Sequence, residues 1–240
     1  MAFEEAFDKI LIESNKRREG IILAFDESII WNDRNQIREL GITQLNDNVQ
    51  DFKNSPIKLY NENKILSDPK LKKQFDIAVD LLKGLQEQKI KCSDVFDIDK
   101  LTMFVALTNL FGGYHGLNGH NLKIYFNPIT NKFEPISWDS NSGYKIEKIY
   151  DYRFTYNDSI YKKKLVEKLE LVSSNEFVND LINSFKGEAN QLNNILSTEY
   201  NVKLLDISVL QYNSNFIKNL ISPKNPIIAN LSNYSLDTIN

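Results

Sequence analysis

Apolar residues recur at Phe3, Phe7, Ile10 and Leu11, spacings that place them on one stripe of a helix over Phe3 to Asn15. Glu4, Glu5 and Asp8 lie toward its start and Lys16, Arg17 and Arg18 at its end, the order that complements a helix dipole. Gly20 follows, and the continuous apolar run IILAF reads as a strand entering an acidic turn at Asp26 and Glu27. From Trp31 to Ser67 the pattern is mixed and rich in Asn and Asp, and a strand or two is expected there. Asp68 then offers a helix N-cap, with Pro69 at the first helical position. Leu71, Phe75, Ala78, Val79, Leu82 and Leu85 carry a long helix to about Gln88. A second helix starts near Asp97 or Asp99, carries Leu101, Phe104, Val105 and Phe111, and stops at Gly112-Gly113.

Beyond Asn121 the period changes to two. Leu122, Ile124 and Phe126 alternate with Lys123, Tyr125 and Asn127, and Pro128 to Asn131 turns the chain into a second strand over Lys132 to Trp138. With the four turn residues unpaired, Asn127 faces Lys132, Phe126 faces Phe133 and Tyr125 faces Glu134. Asn121 then lies opposite Trp138, with Asp139 one step beyond. Pro135 fits such a strand only if its nitrogen points away from the partner. A polar loop, a Tyr-rich stretch, a helix near Lys162 to Leu171 and a longer one from about Ser174 to Leu196 follow. The tail SPKNPIIANLSNYSLDTIN has two prolines and little helical periodicity, and no repeats or heptads occur.

The 240 residues are 42% hydrophobic and 25% charged, enough for a sizeable core in one large domain or two lobes. A formal charge of -3 gives no broad attraction for nucleic acid, so any phosphate site must be local. Cys92 is the single cysteine, which excludes an intrachain disulfide. No run approaches the roughly 18 apolar residues of a spanning helix, so no membrane insertion is expected. The cytoplasm is the default location, or an extracytoplasmic one if a signal was lost upstream.

The two histidines, His115 and His120, lie within GGYHGLNGHN, a glycine-rich loop between the second long helix and the hairpin. Their spacing matches no helical zinc motif and no cysteine lies near, so zinc, and with it a metal hydrolase, is disfavoured. Imidazole exchanges a proton near neutral pH, which qualifies His115 as a general base. The competing role is a structural histidine bonded to a loop carbonyl. Asn121 and Asp139, brought together by the hairpin, supply hard oxygen donors of the kind magnesium takes. Either could instead satisfy backbone groups at the hairpin ends. Gly112 and Gly113 could simply cap a helix. Lys16-Arg17-Arg18 could meet phosphate or form a solvated helix end, Glu13 could orient a lysine or sit exposed, and Trp31 and Trp138 read as core or rim aromatics. The ordinary nucleotide fingerprints are absent.

Taken together, FDIDKLTMFVALTNLFGGYHGLNGHNLKIYFNPITNKFEPISWD resembles the CotH kinases, atypical kinases related to a spore-coat protein. The ordered elements are ALTNLFG, a loop ending in HN, the strand KIYFNP and then KFEPISWD. The first segment, FEEAFDKILIESNKRREGIILAFDESIIW, is similar to a subgroup of large relatives that share an HGL-x-x-HN loop. The resemblance implies an α+β, atypical protein-kinase-like fold: a truncated N-terminal lobe over residues 1–66, and over 67–240 a mainly helical C-terminal lobe containing the hairpin. It implies ATP and Mg2+ as cofactors, Asn121 and Asp139 as metal ligands, His120 beside them in the nucleotide site, and phosphoryl transfer to hydroxyls of a protein substrate. The order echoes protein kinases, in which a catalytic-loop Asn precedes a metal-binding Asp. Many relatives have Asp at the position of His115 and a second acid at that of Asn141, departures that bear on the base. The family's phosphate-contacting strand lysine would lie upstream of this chain. Two expectations follow: a kinase cut short at its N-terminus, or a non-catalytic kinase-like scaffold.

Overall fold

The computed structural model describes residues 6–26, 28–41, 55–198 and 207–222. In chain order the elements are α1 (Lys9–Ser14), β1 (Ile21–Phe25), α2 (Ser28–Glu39), β2 (Ile57–Leu59), α3 (Glu62–Ser67), α4 (Pro69–Gln86), α5 (Cys92–Val95) and α6 (Ile98–Leu110). There follow β3 (Lys123–Asn127), β4 (Lys132–Ile136), α7 (Ser159–Ser173), α8 (Asn175–Ser197) and α9 (Ile207–Ile221). The class is mixed α+β, mostly helical, with one small antiparallel sheet. No described helix is long and apolar enough to cross a membrane.

The sheet has the order β2-β1-β3-β4, every neighbouring pair antiparallel. Strands β1 and β3 are central and buried along their whole length, which is why IILAF shows no alternation. Ile21, Leu23, Phe25, Ile124, Phe126 and Phe133 face the main core, together with Leu82, Leu101, Val105 and Leu110 of the long helices. Ile22 and Tyr125 face the other way, under Ile12 of α1 and beside Phe7, Leu11, Tyr60 and Ile136. Residues on either side of position 66 therefore share one sheet and one core.

The hairpin pairs in the expected register, Asn127 with Lys132, Phe126 with Phe133 and Tyr125 with Glu134. Pro135 pairs with Ile124 on an edge strand, where its missing N–H costs no ladder bond. Helix α4 starts at Asp68, whose carboxylate accepts from Lys70 and Leu71 N–H, and α6 at Asp97, which accepts from Lys100 N–H. Helices α7 and α8 match the two expected C-terminal helices, α8 capped by Ser174.

Three local expectations are corrected. The first helix begins at Lys9 and not at Phe3, because Asp8 adopts extended backbone and caps it through Ile10 and Leu11 N–H; residues 1–5 lie outside the described set. The segment expected to hold strands from Trp31 instead continues helix α2, capped by Asp26 through Ser28 N–H and Oγ–H. Among the described residues of that stretch β2 alone is a strand, and residues 42–54 lie outside the described set. Arg17 is not merely a solvated helix end: its Nε lies 2.7 Å from the buried Glu134 carboxylate.

Candidate functional site

Helix α6 ends in left-handed backbone at Gly112, φ 65°, as the cap reading anticipated. That glycine does more than cap. A β-carbon there would lie 1.8 Å from the Tyr144 carbonyl oxygen, so the helix end and the 140–144 segment touch backbone to backbone. One turn later a β-carbon on Gly116 would lie 2.6 Å from Ser140 Oγ. The glycines are thus surfaces of close approach: they let the chain leaving the hairpin fold down onto the loop entering it.

That approach joins the residues singled out above. His115 sits in a 3-10 turn, Tyr114–Leu117, and Asn121 closes a second one, Gly119–Asn121. The Asn121 side chain is buried, and its amide nitrogen donates to the His115 carbonyl at 3.0 Å. His115 Nε2 lies 3.0 Å from Asp139 Oδ2, and Asn118 Nδ2 approaches His115 Nδ1 at 3.4 Å. An amide nitrogen only donates, so Nδ1 accepts and Nε2 carries the proton it gives to Asp139. Asp139 itself is held at φ 46° and Asn141 at 47°, a region that Asp and Asn tolerate better than most side chains.

His115 is therefore the hub: Asp139 meets its ring, Asn121 its backbone. His120 stands beside it, ring centroids 6.2 Å apart and nearly perpendicular. The pairing of His115 with Asp139 is about 40% exposed on both sides, open to a ligand. Trp138, the residue before Asp139, is partly buried and its ring packs edge-on against Phe7 at 5.0 Å; Trp31 is exposed.

The donor set fits magnesium better than zinc. With its nitrogen bound to the His115 carbonyl, Asn121 turns its amide oxygen the other way, and Asp139 keeps acceptor capacity beyond its bond to His115. Magnesium commonly takes one or two hard oxygen ligands from the protein, the type that Asn121 and Asp139 offer. Among the described residues no cluster of three or more His, Cys, Asp or Glu comes together that could hold a metal.

Other residues matter here that periodicity did not flag. Asn118 occupies the His115 lone pair, and Ser140 packs under the loop beside Ser137, Oγ to Oγ 3.3 Å. Lys123, buried in β3, donates to the His120 carbonyl at 2.8 Å. On the far side of the same hairpin Glu134 accepts from Arg17 at 2.7 Å, Lys100 at 2.6 Å and Asn127 at 2.7 Å. Burial works to raise the Glu134 pKa, and the hydrogen bonds from Lys100, Asn127 and Arg17 outweigh it, leaving the carboxyl below its ordinary value. Glu13 pairs with Lys9 on the exposed face of α1.

The chain matches no protein-family model and no curated protein.

Proposed function

We propose that this chain carries a CotH-like kinase site that binds magnesium-ATP and transfers its terminal phosphoryl group to a protein hydroxyl. The observation that supports this most directly is that Asp139 and Asn121 both bond His115, Asp139 its ring and Asn121 its backbone carbonyl. Each comes from a different end of the hairpin, in the order the resemblance to CotH kinases assigns to metal-ligating residues. Asn121 and Asp139 would hold the ion, whose charge offsets that of the phosphates. Asp139 orients His115 through Nε2. His115 would accept the hydroxyl proton at Nδ1, the nitrogen that Asn118 faces, so catalysis requires Asn118 to give way. Calorimetric titration with ATP, with and without magnesium, tests the proposal. Binding that needs magnesium and is lost in Asp139→Ala supports it; no binding by the wild-type chain sinks it.

A second reading is a non-catalytic kinase-like scaffold. Two observations favour it: Asn141 stands where many relatives carry an acid, and Asn118 covers the lone pair a base needs. Transfer of radiolabelled phosphate to protein separates the two readings, since turnover that disappears in Asp139→Ala while the fold persists excludes the scaffold.

A further inference from the structure

The chain that leaves the hairpin closes against the glycine-rich loop at several points. Ser140 packs on Gly116, Tyr144 on Gly112, and the ring of Tyr150 stacks on that of Tyr114 with centroids 4.5 Å apart and 14° between the planes. Asn109 of α6 pins this segment, donating to the Tyr150 carbonyl and accepting from its N–H. One more contact reaches the loop as a single polar bond. The Tyr152 hydroxyl donates at 3.1 Å to the carbonyl of Gly116, the residue after His115.

Tyr152 is 2% exposed, and a buried tyrosine hydroxyl ordinarily finds a partner. Its partner here is specific. The Gly113 carbonyl accepts from Gly116 N–H, and that of His115 from Asn118 N–H and the Asn121 amide, all within the loop. Gly116 takes its donor from 36 residues away. The side chain that delivers it is fixed at both ends. Its ring stacks on Phe154 at 5.1 Å, and its N–H donates at 2.7 Å to the Asp151 carboxylate, which also accepts from the Tyr161 hydroxyl at 2.6 Å and that of Thr155 at 2.9 Å. Burial pushes the Tyr152 pKa up, so the hydroxyl stays protonated and able to donate. Gly116 thus carries Tyr152 on its carbonyl and Ser140 against its α-carbon, one residue from His115 on one side and one residue beyond Asp139 on the other.

We infer that Tyr152 is a positioning residue of the site: by holding the Gly116 carbonyl it fixes where the His115 ring meets Asp139. This rests on the reading of His115 and Asp139 as the centre of the site and deepens it, naming a residue that bonds neither side chain. Tyr125 provides the comparison. It is also 2% exposed and its hydroxyl also donates to a loop carbonyl, that of Arg18 at 2.6 Å, on the face of the sheet turned away from the main core.

Tyr152→Phe and Tyr125→Phe each delete one such hydroxyl and keep the ring. Nitrogen NMR of the His115 imidazole separates them. In Y152F the ring should shift toward a mixture of tautomers, because the Nε2 proton is no longer held against Asp139; in Y125F the signals should match wild type. Magnesium-ATP affinity, measured by calorimetry, should fall roughly two- to tenfold in Y152F alone, the range to which one hydrogen bond corresponds. Unchanged His115 signals in Y152F, or the same change in both variants, overturn the role and leave the hydroxyl a strut. If the wild-type chain binds no magnesium-ATP, the nucleotide reading fails, and the NMR comparison still decides whether Tyr152 positions His115. Should Y152F not fold, 3-fluorotyrosine introduced at position 152 alone keeps the bond and strengthens the donor. A displaced His115 ring signal then supports the role, and an unmoved one refutes it.

Discussion

Glu134 in β4 and Asp139, three residues past the end of that strand, lie five residues apart and are treated in opposite ways. Glu134 is 5% exposed, with Arg17, Lys100 and Asn127 all donating to its two oxygens. It ties the N-terminal segment, the hairpin and α6 together. Asp139 is close to half exposed and has one side-chain partner among the described residues, His115, itself about 40% exposed. One carboxylate is sealed by donors from three parts of the chain, whereas the other is held by a single, replaceable donor. A saturated carboxylate can only support structure; an open one can exchange partners. That difference is the reason for placing the chemistry at Asp139, although Glu134 has the richer contacts.

The largest effect should come from disturbing how the open side is built. Gly112→Ala puts a methyl group 1.8 Å from the Tyr144 carbonyl, at a left-handed φ that alanine resists. Backbone lies on both sides, so neither can yield cheaply. A loss of about 3 kcal/mol or more in unfolding free energy is expected. In a variant that still folds, the contact between His115 and Asp139 should loosen, seen as a change in the His115 ring resonances by NMR. Unaltered stability would mean that the 140–144 segment does not rest on the helix end.

Next comes the sealed side. Glu134→Gln keeps shape and removes charge, and should cost about 2–3 kcal/mol at neutral pH by chemical denaturation. This is less than a fully buried pair, because Arg17 and Lys100 are each more than a third exposed. The folded pKa of Glu134 is lowered, so its contribution is complete above the unfolded carboxylate value of about 4.3 and fades as pH falls through the folded one. The gap between wild type and E134Q should therefore close in acid. A gap independent of pH would show that shape, and not charge, is what Glu134 provides.

These two sides were not equally legible in the sequence. The hairpin register follows from a four-residue turn and strict alternation, and α4 and α6 announce themselves by Asp caps and apolar spacing, so the strand pairing that sets Asn121 and Asp139 at the open end of the hairpin was readable. That both bond His115, Asn121 its carbonyl and Asp139 its ring, was not, because it depends on two glycines accepting a distant backbone. The Glu134 cluster was invisible for a related reason: Arg17 lies 117 residues away, and a charged residue in an alternating strand reads as solvent-facing. Helix α9 escaped because its buried face is polar at its centre. Asn213 bonds Ile146 N–H and the carbonyls of Leu110 and Tyr144, and Ser214 bonds the Ser173 carbonyl, so the apolar stripe is broken where the packing is tightest. Helix α2 escaped because Trp31, and Leu40 just past its end, are exposed, leaving little apolar periodicity to read.

The smallest effect sharpens the comparison most. Asp139→Asn retains a side chain that tolerates the backbone at φ 46° and removes the charge that meets His115. Exposed ion pairs contribute little, because water screens them and two side chains must be ordered, so the change in stability should stay within about 0.5 kcal/mol. Glu134→Gln deletes the same unit of charge from the same hairpin at several times that cost. If Asp139→Asn proved as damaging as Glu134→Gln, Asp139 would be a structural strut, and the argument that its openness marks it for ligand exchange would fail. If stability holds while the magnesium dependence of nucleotide binding is lost, the charge at 139 is held for a ligand and contributes little to the fold.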